Sequence, residues 1–70
     1  MDPIALLDAV VLTEDVPTEK LRKGSLGTVV EVFDNGTFLV EFADFNGMPY
    51  AMPVLRSTQL LKVYQEPITA

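Results

Sequence analysis

Apolar residues along this chain come in short alternating runs, each closed by a turn signal, and the runs are too short for a helix face. Asp8-Ala9-Val10-Val11-Leu12-Thr13 predicts a first strand, with Val10 and Leu12 on one face and Ala9 and Val11 on the other. Pro3 can start a short helical turn over Ile4 to Leu7 ahead of it. The clearest pattern is Gly24 to Phe42, two β-branched and aromatic runs around Asn35-Gly36. Asn-Gly between such runs predicts a hairpin with a type I′ turn and positive φ at Gly36. Placing Glu31 and Glu41 in solvent turns Thr28, Val30 and Val32 inward on the second strand. It turns Phe38, Val40 and Phe42 inward on the third. Gly27, inside a strand pattern, marks a bulge or a close backbone approach.

A second Asn-Gly turn, Asp44-Phe45-Asn46-Gly47, leads into a fourth run from Met48 to Leu55. Pro49 and Pro53 cannot donate to a ladder, so this run is edge-like or irregular. Arg56 to Gln59 predicts a brief 3₁₀ turn, and Leu60 to Tyr64 a last strand. With Lys62 outward, Leu61 and Val63 point in. Between the first two strands lies a long polar loop, Glu14 to Gly24, in which Thr18 can cap a single turn and Leu21 plugs the core. The expected core is Val10, Leu12, Leu21, Val30, Val32, Phe38, Val40, Phe42, Leu61 and Val63. Residues 65–70 are expected to fray.

Strands near 8–13, 25–33, 37–43, 48–55 and 60–64 predict an all-β fold, a small five-stranded SH3-like barrel with a long first loop and two tight hairpins. A five-stranded OB-type barrel is the alternative, but it needs a helix that the pattern does not supply. Seventy residues make one domain, 1–70, with its core at about 5–64. So small a chain buries only about 60% of its unfolded surface. It contains no Cys and no His, so neither disulfides nor the usual zinc sites can staple it. A dense apolar core or oligomerisation must supply the stability, and 49% of the residues are hydrophobic.

Certain residues carry a resemblance. Leu6-Leu7-Asp8-x-Val10-x-Leu12-x-x-Asp15-Val16-Pro17, Leu21-x-x-Gly24-x-x-Gly27-Thr28-Val29-Val30-Glu31, Tyr50-Ala51 and Gln59-Leu60-Leu61 resemble a family of short bacterial proteins known only as a domain of unknown function. The resemblance covers roughly residues 5 to 63. It implies a stand-alone small β-barrel with no established activity, no catalytic residues to carry over, and an accessory or antitoxin-like role. Pro49 and Pro53 around Tyr50-Ala51 depart from a regular fourth strand.

The chemistry present argues against an enzyme. Without His or Cys the usual general base, metal ligands and thiol nucleophile are missing, and no cofactor or metal is expected. Asp8, Asp15, Glu31 and Glu41 are the carboxylates that could pair for acid–base work, and the last two are expected across the hairpin, as ordinary solvent-facing strand residues. Asp34 and Asp44 match no calcium-loop spacing.

The net charge of −5 disfavours nucleic acid and suits a basic protein partner. Lys20, Arg22 and Lys23 are the one basic group, a candidate anion or nucleic-acid contact that a KOW-like RNA-binding module would use. Phe45 or Tyr50 could stack a base there. The chain start lacks a basic signal-peptide region and a membrane span, which predicts a cytoplasmic protein.

The leading expectation is a non-catalytic module that self-associates or binds a protein. It rests on an apolar outer face: Ala9, Val11, Val29, Phe33 and Leu39 all point away from the expected core. Ile4, Leu6 and Ile68 are the residues of the chain that could cover it instead.

Overall fold

The computed structural model describes residues 3–64 together with Pro67 and Ile68. It is all-β. Six strands, β1 (Ala9–Leu12), β2 (Leu26–Val32), β3 (Thr37–Ala43), β4 (Pro49–Ala51), β5 (Val54–Arg56) and β6 (Leu60–Val63), form one antiparallel sheet. The order is β4-β3-β2-β1-β6, and β5 also pairs with β3. Short 3₁₀ turns occupy Pro17–Glu19 and Ser57–Gln59. Among the described residues no helix is long and apolar enough to cross a membrane.

The fourth run splits in two, for the reason its prolines supply. β5 and β4 continue one another along β3, and the break at Met52-Pro53 lies opposite Val40, whose N–H donates to the Pro53 carbonyl at 3.0 Å. Pro53 has no N–H to return that bond.

The connection from β5 to β6 forces the sheet to curl. A flat sheet would hold these edge strands about four strand spacings apart, roughly 19 Å. Only Ser57, Thr58 and Gln59 join them, and a 3₁₀ turn rises about 2 Å per residue. The turn is pinned to the end of β1: Thr13 donates its N–H to the Gln59 carbonyl at 2.9 Å and its hydroxyl to the Thr58 carbonyl at 3.0 Å. No ladder joins β6 to β4 or β5 among the described residues.

Both hairpins use three-residue loops, so the type I′ expectation is corrected. The Phe33 N–H reaches the Thr37 carbonyl at 3.0 Å, and Gly36 has φ of 81°. Asn35 is not among the residues with positive φ. A type I turn followed by a left-handed glycine gives this geometry, and it recurs at Asp44 to Met48 with Gly47 at φ of 79°. The long first loop folds back on itself through a bridge between Val16 and Leu21, and both plug the core. No side chain caps its 3₁₀ turn, so Pro17 and not Thr18 sets its start.

Val10, Leu12, Val29, Val40 and Phe42 are fully enclosed, and Leu21, Phe38, Leu55 and Leu60 pack around them. Four expected core residues are corrected. Val30 and Val63 are half-buried, and Val32 and Leu61 are exposed. For Val30 the cause is a bulge between Val29 and Glu31: Val29 pairs with Val40, and Glu31 pairs with Leu39. Glu31 does point out and Val32 does share the face of Phe38, but alternation does not carry back across Val30. Gly27 and Val29 therefore face the core, and Leu26 and Thr28 face outward. A Cβ on Gly27 would lie 2.7 Å from Val40 and 2.9 Å from Phe42, the close approach its place in the pattern signals.

On β6 the cause is Lys62. It pairs with fully buried Val10 and so lies on the core side, at the open rim. Its stem lies along the rim while its ammonium reaches Asp8 at 3.2 Å. Leu60 takes the core position, and Leu61 turns out. Of the expected fraying tail only Pro67 and Ile68 are described; the rest lies outside the described residues.

Candidate interaction surface

The sheet places three outward side chains in a row. Val11 pairs with Leu26 on one side and Leu61 on the other, so Leu61, Val11 and Leu26 share one face across β6, β1 and β2. Leu26 is 57% exposed and Leu61 49%. The next row holds Val63, Ala9 and Thr28, with Leu7 beside it. No charged residue stands in either row on these three strands. Each position follows from a named cause: the bulge turns Leu26 out, and the rim position of Lys62 turns Leu61 out.

Of the expected interface, Ala9 and Val11 lie at the centre of this surface. Val29 does not: it is 0% exposed, and that expectation is corrected. Leu39 and Phe33 lie elsewhere on the sheet, half-buried; Leu39 stands in a row with Glu31 and Val54. Leu26 and Leu61 are the residues the pattern missed. Gly27 was the available signal, because a residue with no room for a Cβ faces the crowded side and sets its neighbours outward. The chain's own ends do not cover the surface at the described positions: Leu6 is exposed, Ile68 is 99% exposed, and Ile4 packs against the core.

Beside the surface the backbone is strained. Leu7 has φ of 70°, a conformation a leucine adopts at a cost of about 1–2 kcal/mol. Asp8 holds it there. The Asp8 carboxylate accepts the Ala5 N–H at 2.7 Å, and the Asp8 N–H returns to the Ala5 carbonyl at 3.2 Å. The Leu7 N–H then reaches the Val29 carbonyl at 2.8 Å, so the turn is tied to the bulge. The Ala5 N–H holds the Asp8 carboxyl below the usual carboxylate range; partial burial opposes this and Lys62 adds to it. The Lys62 ammonium also lies 5.4 Å from the centre of the Tyr64 ring.

The basic group sits on the first loop. Lys20, Arg22 and Lys23 are all exposed, but Glu14, Asp15 and Glu19 share the loop, and Asp15 accepts the Lys23 backbone N–H at 2.7 Å. Glu31 and Glu41 are not directly opposed: Glu31 faces Leu39, and Glu41 faces Thr28. Among the described residues no three carboxylates gather closely enough to hold a metal ion.

A family model described as a domain of unknown function (DUF4926) matches residues 6–62. The chain belongs to that family. No curated protein and no solved structure matches it significantly. The DUF4926 span takes in the strained turn at Leu7, the bulge and the outward row from Leu26 to Leu61.

Proposed function

We propose that this chain is a non-catalytic interaction module that self-associates through the outer face of β6, β1 and β2. The observation that carries the reading is the row Leu61, Val11 and Leu26, apolar across three strands, with Leu61 and Leu26 exposed on either side of half-buried Val11. A sheet face in water normally alternates to polar residues at such positions. Burying an aliphatic side chain fully is worth about 1.5–3 kcal/mol, and half-exposed ones yield a part of that. A second copy is the favoured occupant because of charge. Each chain carries −5, yet the rows Leu61-Val11-Leu26 and Val63-Ala9-Thr28 carry no charge, so two copies centred on Val11 meet without opposing like charges there. A two-fold axis would set the row against itself, the commonest oligomer geometry.

An accessory role, antitoxin-like or otherwise, and a cytoplasmic setting belong to the same proposal. RNA binding through Lys20, Arg22 and Lys23 has less support, since three acids in the same loop offset the three bases. A dilution series followed by amide NMR tests the reading. The Val11, Leu26 and Leu61 amides should shift with concentration while those of buried Val40 and Phe42 hold still. Amides that do not move over the micromolar to millimolar range would count against it.

A further inference from the structure

The two Asn-Gly loops share one build and differ in one contact. Phe33 and Thr37 close the first as Asp44 and Met48 close the second, each through an N–H to carbonyl bond of 3.0 Å. Gly36 and Gly47 hold the left-handed position, with φ of 81° and 79°. The difference lies at the asparagine. The Asn35 Oδ1 accepts the Thr37 hydroxyl at 2.6 Å and the Thr37 N–H at 3.3 Å. A backbone N–H can only donate, so the oxygen of the Asn35 amide is the atom that faces Thr37. In the second loop the Met48 N–H is taken by the Asp44 carboxylate at 3.0 Å, and no donor reaches the Asn46 side chain among the described residues. The glycine nitrogens differ as well. The Gly36 N–H reaches the Phe33 carbonyl only at 3.3 Å, while the Gly47 N–H reaches the Asp44 carbonyl at 2.9 Å.

We propose that Asn35 is a self-modification site, where Thr37 promotes closure of the Asn35-Gly36 pair to a succinimide, and that Asn46 lags behind it. The Gly36 nitrogen gives its proton to solvent water and bonds to the Asn35 Cγ. The bond from Cγ to the side-chain nitrogen breaks, and that nitrogen takes a proton from water and leaves as ammonia. Water then opens the ring, which leaves aspartate or isoaspartate at position 35. Glycine hinders the attack least, having no Cβ. Negative charge gathers on Oδ1 in the tetrahedral intermediate. The Thr37 hydroxyl and N–H already donate to that oxygen, so they stabilise the charge without rearrangement. The ring closed by the Thr37 N–H contains both the Asn35 Cγ and the Gly36 nitrogen. The long Gly36 bond leaves the attacking nitrogen more loosely held than that of Gly47. Either product adds negative charge to a chain that carries −5. The isoaspartate form also lengthens the main chain in a loop that sets the register of β2 against β3.

The test keeps the full chain in warm, mildly alkaline buffer and follows both asparagines by peptide mass mapping, which separates amide from acid. Asn35 should convert faster than Asn46 in the same sample. Thr37→Val keeps the shape and loses the hydroxyl. It should slow Asn35 roughly fivefold, the size of one net hydrogen bond, and leave Asn46 unchanged. Thr37→Ser keeps the hydroxyl and should hold the wild-type rate, which separates the hydroxyl from any loosening of the hairpin. Circular dichroism verifies that both variants are folded. In urea the two asparagines of the wild type should convert at similar rates, because the fold no longer places Thr37. That comparison stands whether or not a variant folds. Asn46 converting as fast as Asn35 in buffer, an Asn35 rate that Thr37→Val does not lower, or a preference for Asn35 that persists in urea would overturn the proposal.

Discussion

Two glycines show how differently a missing side chain can matter. Gly27 has ordinary φ but no space, since Val40 and Phe42 occupy the place of its Cβ and are themselves fully enclosed. Gly27→Ala should therefore cost about 1–3 kcal/mol by overpacking, read as a lower midpoint in a urea melt. Gly36 is the reverse, with nothing within 4 Å of a built Cβ but a φ of 81°. Gly36→Val should cost more than about 1 kcal/mol through backbone strain alone, and Gly36→Asn should cost less, since Asn tolerates that region. Equal losses for Val and Asn would mean that sterics, not φ, govern the site. Asp8 adds a pH dependence. Its folded pKa lies below the unfolded value near 3.9, so its stabilisation is present above that value and is lost as pH falls through the folded one. Asp8→Asn should thus be less stable than the wild type at neutral pH, and the gap should close in acid. Melts at neutral and acid pH check this, and a gap that stays constant would show that the carboxylate's charge contributes nothing.

At the scale of elements, the alternating runs placed β1, β2, β3 and β6 to within a residue, while the fourth run, expected as one strand over 48–55, is two strands with its prolines marking the irregularity. Turn signals located both hairpins, while the loop length, which decides turn type, was one residue longer than Asn-Gly alone suggests. Facing was legible where no irregularity intervened: Val10, Leu12, Phe38, Val40 and Phe42 are buried as the period of two requires. It failed at the bulge, because Val29-Val30-Glu31 contains nothing that distinguishes a bulged residue from a paired one. The strained turn at Leu7 is tied to that bulge through long-range hydrogen bonds, which a local pattern does not record. It failed again at Lys62, where a long stem lets a charged residue occupy the core side of an edge strand. The two failures share a consequence, since each hides one leucine of the exposed row.

For the whole molecule, the outer rows Leu61-Val11-Leu26 and Val63-Ala9-Thr28 on β6, β1 and β2 carry no charge, while Glu31 near the far end of β2 and Glu41 beside Thr28 on β3 stand at their margin. The acids are thereby kept out of the centre of the surface proposed to pair with itself. Leu26→Glu is the sharpest probe of that surface. Leu26 is exposed within one chain, so the change should leave the monomer folded while placing two carboxylates in a two-fold contact. Sedimentation of the wild type at micromolar concentration, beside Leu26→Glu, is the direct measurement. The account predicts a dimer or larger species for the wild type and a monomer near 7.7 kDa for the variant. A wild type that sediments as a clean monomer of that mass would contradict it.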